Sequence, residues 1–318
     1  MAYQPWIDPE IEAFLAAMPA IDLTLSHERL ETVRSMMNAS LDLVPLSDAV
    51  ERRDVMVPGA PGDPEIPLRI HRPKGVKSGA PCFFSIHGGG YVLGSHRMDD
   101  ARLDRWCQAL GCIGVSVDYR LAPETPYPGP LEDCYAGVKW VFHNADELGI
   151  DPTRTGIGGA SAGGGLAAAL ALLIRQRKEF AIAFQLLIYP MIDDRGVTTT
   201  SSWDTLVWTS QANNFAWRAY LGDLYGTETI PETAAPARAK TLSGLPPAFV
   251  MVGAADGFCD EDIHYAQRLN HDGVPTEFHL YPGAPHGFDG MMPTTSVAQM
   301  AQRDALSWVG RQMKVTLS

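Results

Sequence analysis

TGIGGASAGGGLAAALALLIRQR, residues 155–177, changes character at its middle. Residues 155–158 close a short strand pattern, and residues 162–177, rich in Ala and Leu, form a strongly helical one. Between them stands Gly159-Ala160-Ser161-Ala162-Gly163, a GxSxG pentapeptide at a strand-to-helix turn. A serine in such a corner is expected to have a strained backbone, with its hydroxyl presented at the carboxyl end of a sheet and a helix N-terminus beneath it. The flanking glycines remove Cβ atoms that would clash there. A phosphate loop would need Gly-Lys-Ser/Thr and a dinucleotide fingerprint GxGxxG, and neither string is present. Ser161 is therefore the candidate nucleophile.

Upstream, His87-Gly88-Gly89-Gly90 follows an apolar strand pattern. Acyl transfer builds negative charge on a carbonyl oxygen, and losing one backbone N–H aimed at it costs roughly 3–4 kcal/mol. Side chains would block that approach, so a glycine run after a strand suits an oxyanion hole, with Gly88 and Gly89 as donors and Ala162 N–H as the third. His87 reads as structural. Downstream, His286 lies in the Gly/Pro-rich loop YPGAPHGF, after the last strand pattern, and is the candidate general base. The acid must fall between nucleophile and base at the end of a strand, and FVMVGAAD places Asp256 there. Its work is to hold the imidazole tautomer. Asp260, Glu261 and Asp262 read instead as charges at a helix N-terminus.

Outward from these residues, short apolar runs alternate with amphipathic segments, the pattern of βα units around a largely parallel sheet. Strands are expected at 54–57, 66–71, 82–87, 113–119, 155–158, 184–188, 248–252 and 277–281, the first two polar enough to be edge strands. Helices are expected at 100–110, 131–144, 162–177, 261–271 and 297–313. Two segments break the alternation. Residues 1–50 read as helices, with Ile11, Phe14, Leu15 and Met18 at helical spacing. Residues 198–229 form an insertion carrying Trp203, Leu206, Trp208, Phe215, Trp217 and Tyr220, which reads either as an ordinary packed helix or as a cap over the site.

A net charge of −12 and the absence of any basic run argue against nucleic acid or an anionic membrane as partner. Five cysteines without CxxC spacing suggest neither a zinc site nor a redox pair, and their odd number suits a reducing compartment. Asp8, Glu10 and Glu12 interrupt the N-terminal apolar positions, and no run reaches the roughly 20 apolar residues that span a bilayer. The expected location is cytoplasmic.

With these residues in hand, the chain resembles the bacterial hormone-sensitive-lipase-like esterases, a branch of the α/β-hydrolases. The resemblance rests on SIHGGGYVLGS, VSVDYRLAPETPYPGPLEDCYAGVKWV, GIGGASAGGGLAAALAL, and the block from GLPPAFVMVGAADGFCDED to FHLYPGAPHGF, which cover most of residues 80–290 in order. It implies an α/β-hydrolase fold, with a mostly parallel eight-stranded sheet flanked by helices. Residues 1–50 and 198–229 would form a helical cap, and residues 51–197 and 230–318 the core. It implies a carboxylesterase acting on small acyl or aryl esters with no cofactor or metal, and a scaffold role for Tyr119, Arg120 and Glu124. Three places depart from the family pattern: Ala160 for aspartate, Ala254 for glutamate, and Gly257 and Cys259 for proline and arginine, which bears on the rigidity of the loop around Asp256.

The expected cycle is attack by Ser161 on an ester carbonyl, proton uptake by His286, and hydrolysis of the acyl-enzyme by water. Tyr91, Trp208, Phe215 and Trp217 are the candidate substrate-binding residues, bulky enough to favour short acyl chains. The same triad would also serve an amide, lactone or carbamate, and a non-catalytic ligand-binding protein could share the fold. Pairing of an exposed edge strand at 277–281 would make a homodimer.

Overall fold

The computed structural model describes residues 5–17, 24–203 and 205–316. One sheet of eight strands forms its centre: β1 (Val50–Val57), β2 (Ile66–Pro73), β3 (Ala80–Ile86), β4 (Ile113–Val117), β5 (Ile150–Ala160), β6 (Gln185–Ile188), β7 (Ala248–Gly253) and β8 (Thr276–Tyr281). Their order is β1-β2-β4-β3-β5-β6-β7-β8. β2 pairs antiparallel with both neighbours, whereas β4 through β8 run parallel. The α helices are α1 (Pro9–Ala17), α2 (Leu30–Leu41), α3 (Asp100–Leu110), α4 (Gly129–His143), α5 (Ala145–Leu148), α6 (Ala162–Arg177), α7 (Ser210–Leu221), α8 (Cys259–His271), α9 (Phe288–Met291) and α10 (Ser296–Gln312).

All eight expected strands form, with one correction. β1 is an edge, but β2 is not. Its polar residues are neutralised inside the fold: Arg69 donates to Asp54 and Asp100 at 2.7 Å each, so charge along a strand does not mark an open edge here. β5 is longer than the apolar pattern suggested, because Ile150 already pairs with Ala80.

Alternation along the inner strands feeds a core on each face. In β3, Cys82, Phe84 and Ile86 join α4 and α6 on one face, while Phe83 joins Trp106 of α3 and Trp308 of α10 on the other. Along α6, every residue from Ala162 to Ile174 is buried, which accounts for its Ala- and Leu-rich sequence.

The two segments outside the alternation lie against this body. On α1, Ile11 is fully buried with Phe14 and Leu15 beside it; Met18 falls outside the described residues. Arg34 of α2 donates to Val92 O, Ala122 O and both oxygens of Glu124 at 2.8–2.9 Å, giving Glu124 the work of seating the N-terminal helices. Among the described residues, the insertion contributes one α-helix, α7, and two short 3-10 turns; Phe215 of α7 meets His27 edge-on at 5.2 Å.

Candidate active site

β5 ends and α6 begins at Ser161, whose φ of 58° and ψ of −123° lie where a residue with a side chain rarely sits. Strain of this kind costs about 1–3 kcal/mol and persists only where surrounding bonds impose it. Three backbone bonds impose it here: Ser161 N donates to Ile188 O, and Met191 N and Gly165 N donate to Ser161 O, all at 2.9–3.0 Å. The two glycines of the pentapeptide are a steric necessity. A Cβ on Gly159 or Gly163 would lie 2.4 or 2.0 Å from Ile86 O, at the end of β3.

The loops after β7 and β8 deliver the other two groups. Asp256 and His286 are 1% and 5% exposed, and Ser161 is 8% exposed, so the three meet largely out of water. His286 Nε2 lies 2.8 Å from Ser161 Oγ, and its Nδ1 lies 2.7 Å from Asp256 Oδ2. The second Asp256 oxygen accepts from Phe258 N at 3.0 Å. With the carboxylate accepting at Nδ1, that nitrogen carries the proton and Nε2 is left to accept from the serine hydroxyl.

Gly88 lies against this corner: a Cβ on it would be 2.9 Å from Ala160 O and 3.4 Å from Ser161 Cβ. Among the described residues, no backbone carbonyl accepts from the amides of Gly88, Gly89 or Ala162. His87 is occupied otherwise. Its ring stacks on Tyr119 at 4.1 Å, its Nδ1 lies 2.8 Å from Gly88 O, and burial holds its pKa below the ordinary histidine value.

Of the four aromatic residues expected to meet substrate, two do not present themselves. Tyr91 and Trp217 are each 1% exposed; Tyr91 stacks on Tyr220 at 4.0 Å and donates its hydroxyl to Met191 O. Both are packing residues, because the seam between α7 and the core closes over them. Trp208 does reach the site, 6.3 Å from the His286 ring, its indole against Gly90; Phe215 is half-buried beside His27. Glu261 and Asp262, expected as helix N-terminal charges, are in the first turn of α8 but buried, and burial pushes both carboxyl pKa values well up.

Sequence reasoning missed three groups around His286. Tyr189 and Phe258 set their rings edge-on to the imidazole at 4.7 and 5.0 Å, and Thr200 ties the insertion to the loop after β7. Thr200 Oγ1 donates to Gly257 O and accepts from Asp260 N, while Thr200 N donates to Asp260 Oδ2. That tie steadies the loop whose glycine had suggested looseness. Only the position of Tyr189 directly after β6 could have flagged it.

Residues 83–290 match the family described as an alpha/beta hydrolase fold. The chain is 34% identical over 294 residues to the carboxylesterase NlhH of Mycobacterium tuberculosis, covering 90% of this chain and 89% of that one. It is 32% identical over 306 residues to an arylesterase of Saccharolobus solfataricus, covering 91% and 94%. The solved structure of a bacterial heroin esterase superposes with a TM-score of 0.91 at 37% identity, covering 96% of this chain and 98% of that one. The chain belongs to the α/β-hydrolase family, in its hormone-sensitive-lipase-like branch. Within that branch it is a carboxylic ester hydrolase.

Proposed function

We propose that this enzyme hydrolyses esters of short acyl chains, or aryl esters, through a covalent acyl-enzyme on Ser161. The observation that carries the reading is the continuous relay from Ser161 Oγ through His286 to Asp256, at 2.8 and 2.7 Å. His286 Nε2 takes the serine proton as Oγ attacks the carbonyl carbon, then returns it to the departing alcohol; a water activated the same way cleaves the acyl-enzyme. Asp256 holds the imidazole and stabilises its cation. The oxyanion is assigned to the N–H groups of Gly88, Gly89 and Ala162, which lack backbone acceptors; Ala162 also opens α6, where the helix dipole favours negative charge.

Short chains are assigned because the Trp208 indole stands over both His286 and the glycine run, so a long acyl group meets a wall. The names of the relatives, an arylesterase and a heroin esterase, accord with small esters of varied alcohols. We place the enzyme in the cytoplasm, since all five cysteines are free and buried, and no described helix is long and apolar enough to cross a membrane. Self-association is assigned to the outer edge of β8, where Leu280 is exposed; light scattering that finds only monomer removes it.

A fluorophosphonate probe and an acyl-length series test the chemistry. Ser161 is expected to be labelled, and Ser161→Ala to lose both labelling and about a millionfold in turnover. A Ser161→Ala enzyme that still hydrolyses nitrophenyl acetate at near-normal rate removes the nucleophile. Peak activity on chains of about ten carbons or more removes the Trp208 wall.

A further inference from the structure

Tyr189 combines three features found together at no other described residue outside the relay. Its φ is +33°, a genuine outlier for a bulky side chain. Its ring contacts the His286 imidazole edge-on, with the planes at 62°. Its hydroxyl donates to Asp289 Oδ1, and Asp289 follows His286 by three residues, in the first turn of α9.

The backbone explains why the strain persists. Ile188 O accepts from Ser161 N and Met191 N donates to Ser161 O, so the chain on either side of Tyr189 is fastened to the nucleophile. Tyr189 N itself donates to Met251 O at 2.6 Å, on β7. With both flanks fixed, the residue must turn through a positive φ, and the turn directs its ring at the base. Asp289 is fastened in turn: its backbone carbonyl accepts from Gln302 on α10, and the Arg102 guanidinium supplies counter-charge to it and to Asp99. Burial and the Asp289 carboxylate keep the phenol protonated and therefore a donor.

We propose that Tyr189 is a positioning residue that fixes the plane of the His286 imidazole by latching the nucleophile's strand end to the base's loop through Asp289. Asp256 at Nδ1 and Ser161 at Nε2 hold the ring at its two nitrogens, but bonds along that one line leave the imidazole free to rock about it. The Tyr189 ring limits that motion, and its hydroxyl holds the loop that carries the histidine at the matching distance. Tyr189 does not touch the reacting atoms. This rests on the assignment of His286 as general base.

The test compares Tyr189→Phe, Asp289→Ala, the double variant and His286→Ala in the full chain, with nitrophenyl acetate as substrate. Removing only the hydroxyl is expected to lower kcat about tenfold and leave KM within about twofold, since a loosened base costs orientation and not binding. Asp289→Ala, which leaves the Tyr189 hydroxyl without its acceptor, is expected to match it, and the double variant to be no worse than either single, because both cut one latch. The latch is overturned if Tyr189→Phe keeps kcat within about twofold of the parent, if its loss appears equally in KM, or if the two losses multiply. Should Asp289→Ala fail to fold, Tyr189→Phe decides alone. His286→Ala separates the two assignments. A His286→Ala enzyme that keeps its rate removes the base itself, whereas an inactive His286→Ala beside a fully active Tyr189→Phe removes only the latch.

Discussion

The turn that carries Ser161 and the segment that follows Asp256 face each other across His286, and they are held by different means. At Ser161 the bonds are backbone to backbone, and the glycines touch main chain: a Cβ on Gly163 would fall 2.0 Å from Ile86 O and 2.6 Å from His87 O. Beyond Asp256 the glycine has room, since a Cβ on Gly257 would come no nearer than 3.7 Å to Thr200 O, and one threonine of the insertion bonds to that segment through its side chain and its backbone N–H. One half of the site is thus held by main chain that the adjacent strands β3 and β6 bring to it. The other half depends on a residue 57 positions away.

The largest effect should come from breaking the first half. Gly163→Ala forces a methyl into main-chain oxygens that cannot rotate away, and overpacking of this kind costs about 3 kcal/mol. Denaturant unfolding and esterase assay should show both stability and activity falling sharply. A soluble, fully active Gly163→Ala would mean that the corner relaxes more easily than its contacts allow.

Thr200→Val probes the second half with little change of shape. It removes two of the three bonds of the tie, at about 2 kcal/mol together, and should raise KM about fivefold as the insertion shifts, with a smaller loss in kcat. An unchanged KM would show that the Thr200 hydroxyl does not seat the insertion.

Glu261→Gln tests the buried charge beside that loop. Burial, then the Asp193 carboxylate, raise the Glu261 pKa in the fold. The unfolded chain therefore releases this proton at lower pH than the folded one, so the group's contribution to stability is present in acid and is lost as pH rises above the unfolded value. Glutamine has no such loss and still accepts from Ile192 N, whose distance to Glu261 is 3.4 Å. The variant should gain on the parent by up to about 1.4 kcal/mol per pH unit above about pH 4.5. Parallel stability curves would place the carboxyl in contact with water.

The smallest effect is expected at Gly257→Ala. Its φ is not among the positive ones, and the added Cβ meets only ordinary contacts, so a gain of about 0.4–1 kcal/mol through the unfolded state should follow with activity unchanged. A loss comparable to that of Gly163→Ala would erase the contrast between the two halves.

The legible part of the molecule follows the same division. Strand and helix periodicity located all eight strands and the five core helices, and the order of GxSxG, Asp256 and His286 placed residues that now lie within hydrogen-bond distance of one another. The misjudged residues are those whose role depends on a distant partner. Arg69 made β2 look like an edge until Asp100 of α3 came beside it, and Tyr91 and Trp217 looked like pocket walls until Tyr220 covered them.

What the sequence by itself determined was the sheet and its flanking helices, because strand alternation and helix propensity act between near neighbours in the chain; the glycines beside Ser161 marked the turn, although the oxygen they make room for lies at the end of β3. Tertiary structure alone decided which aromatic residue stands over His286, how Thr200 steadies the loop after β7, and that Tyr189 is strained against the imidazole. Those outcomes depend on where side chains from separate loops meet at the carboxyl end of the sheet, a distance in space that no local pattern encodes.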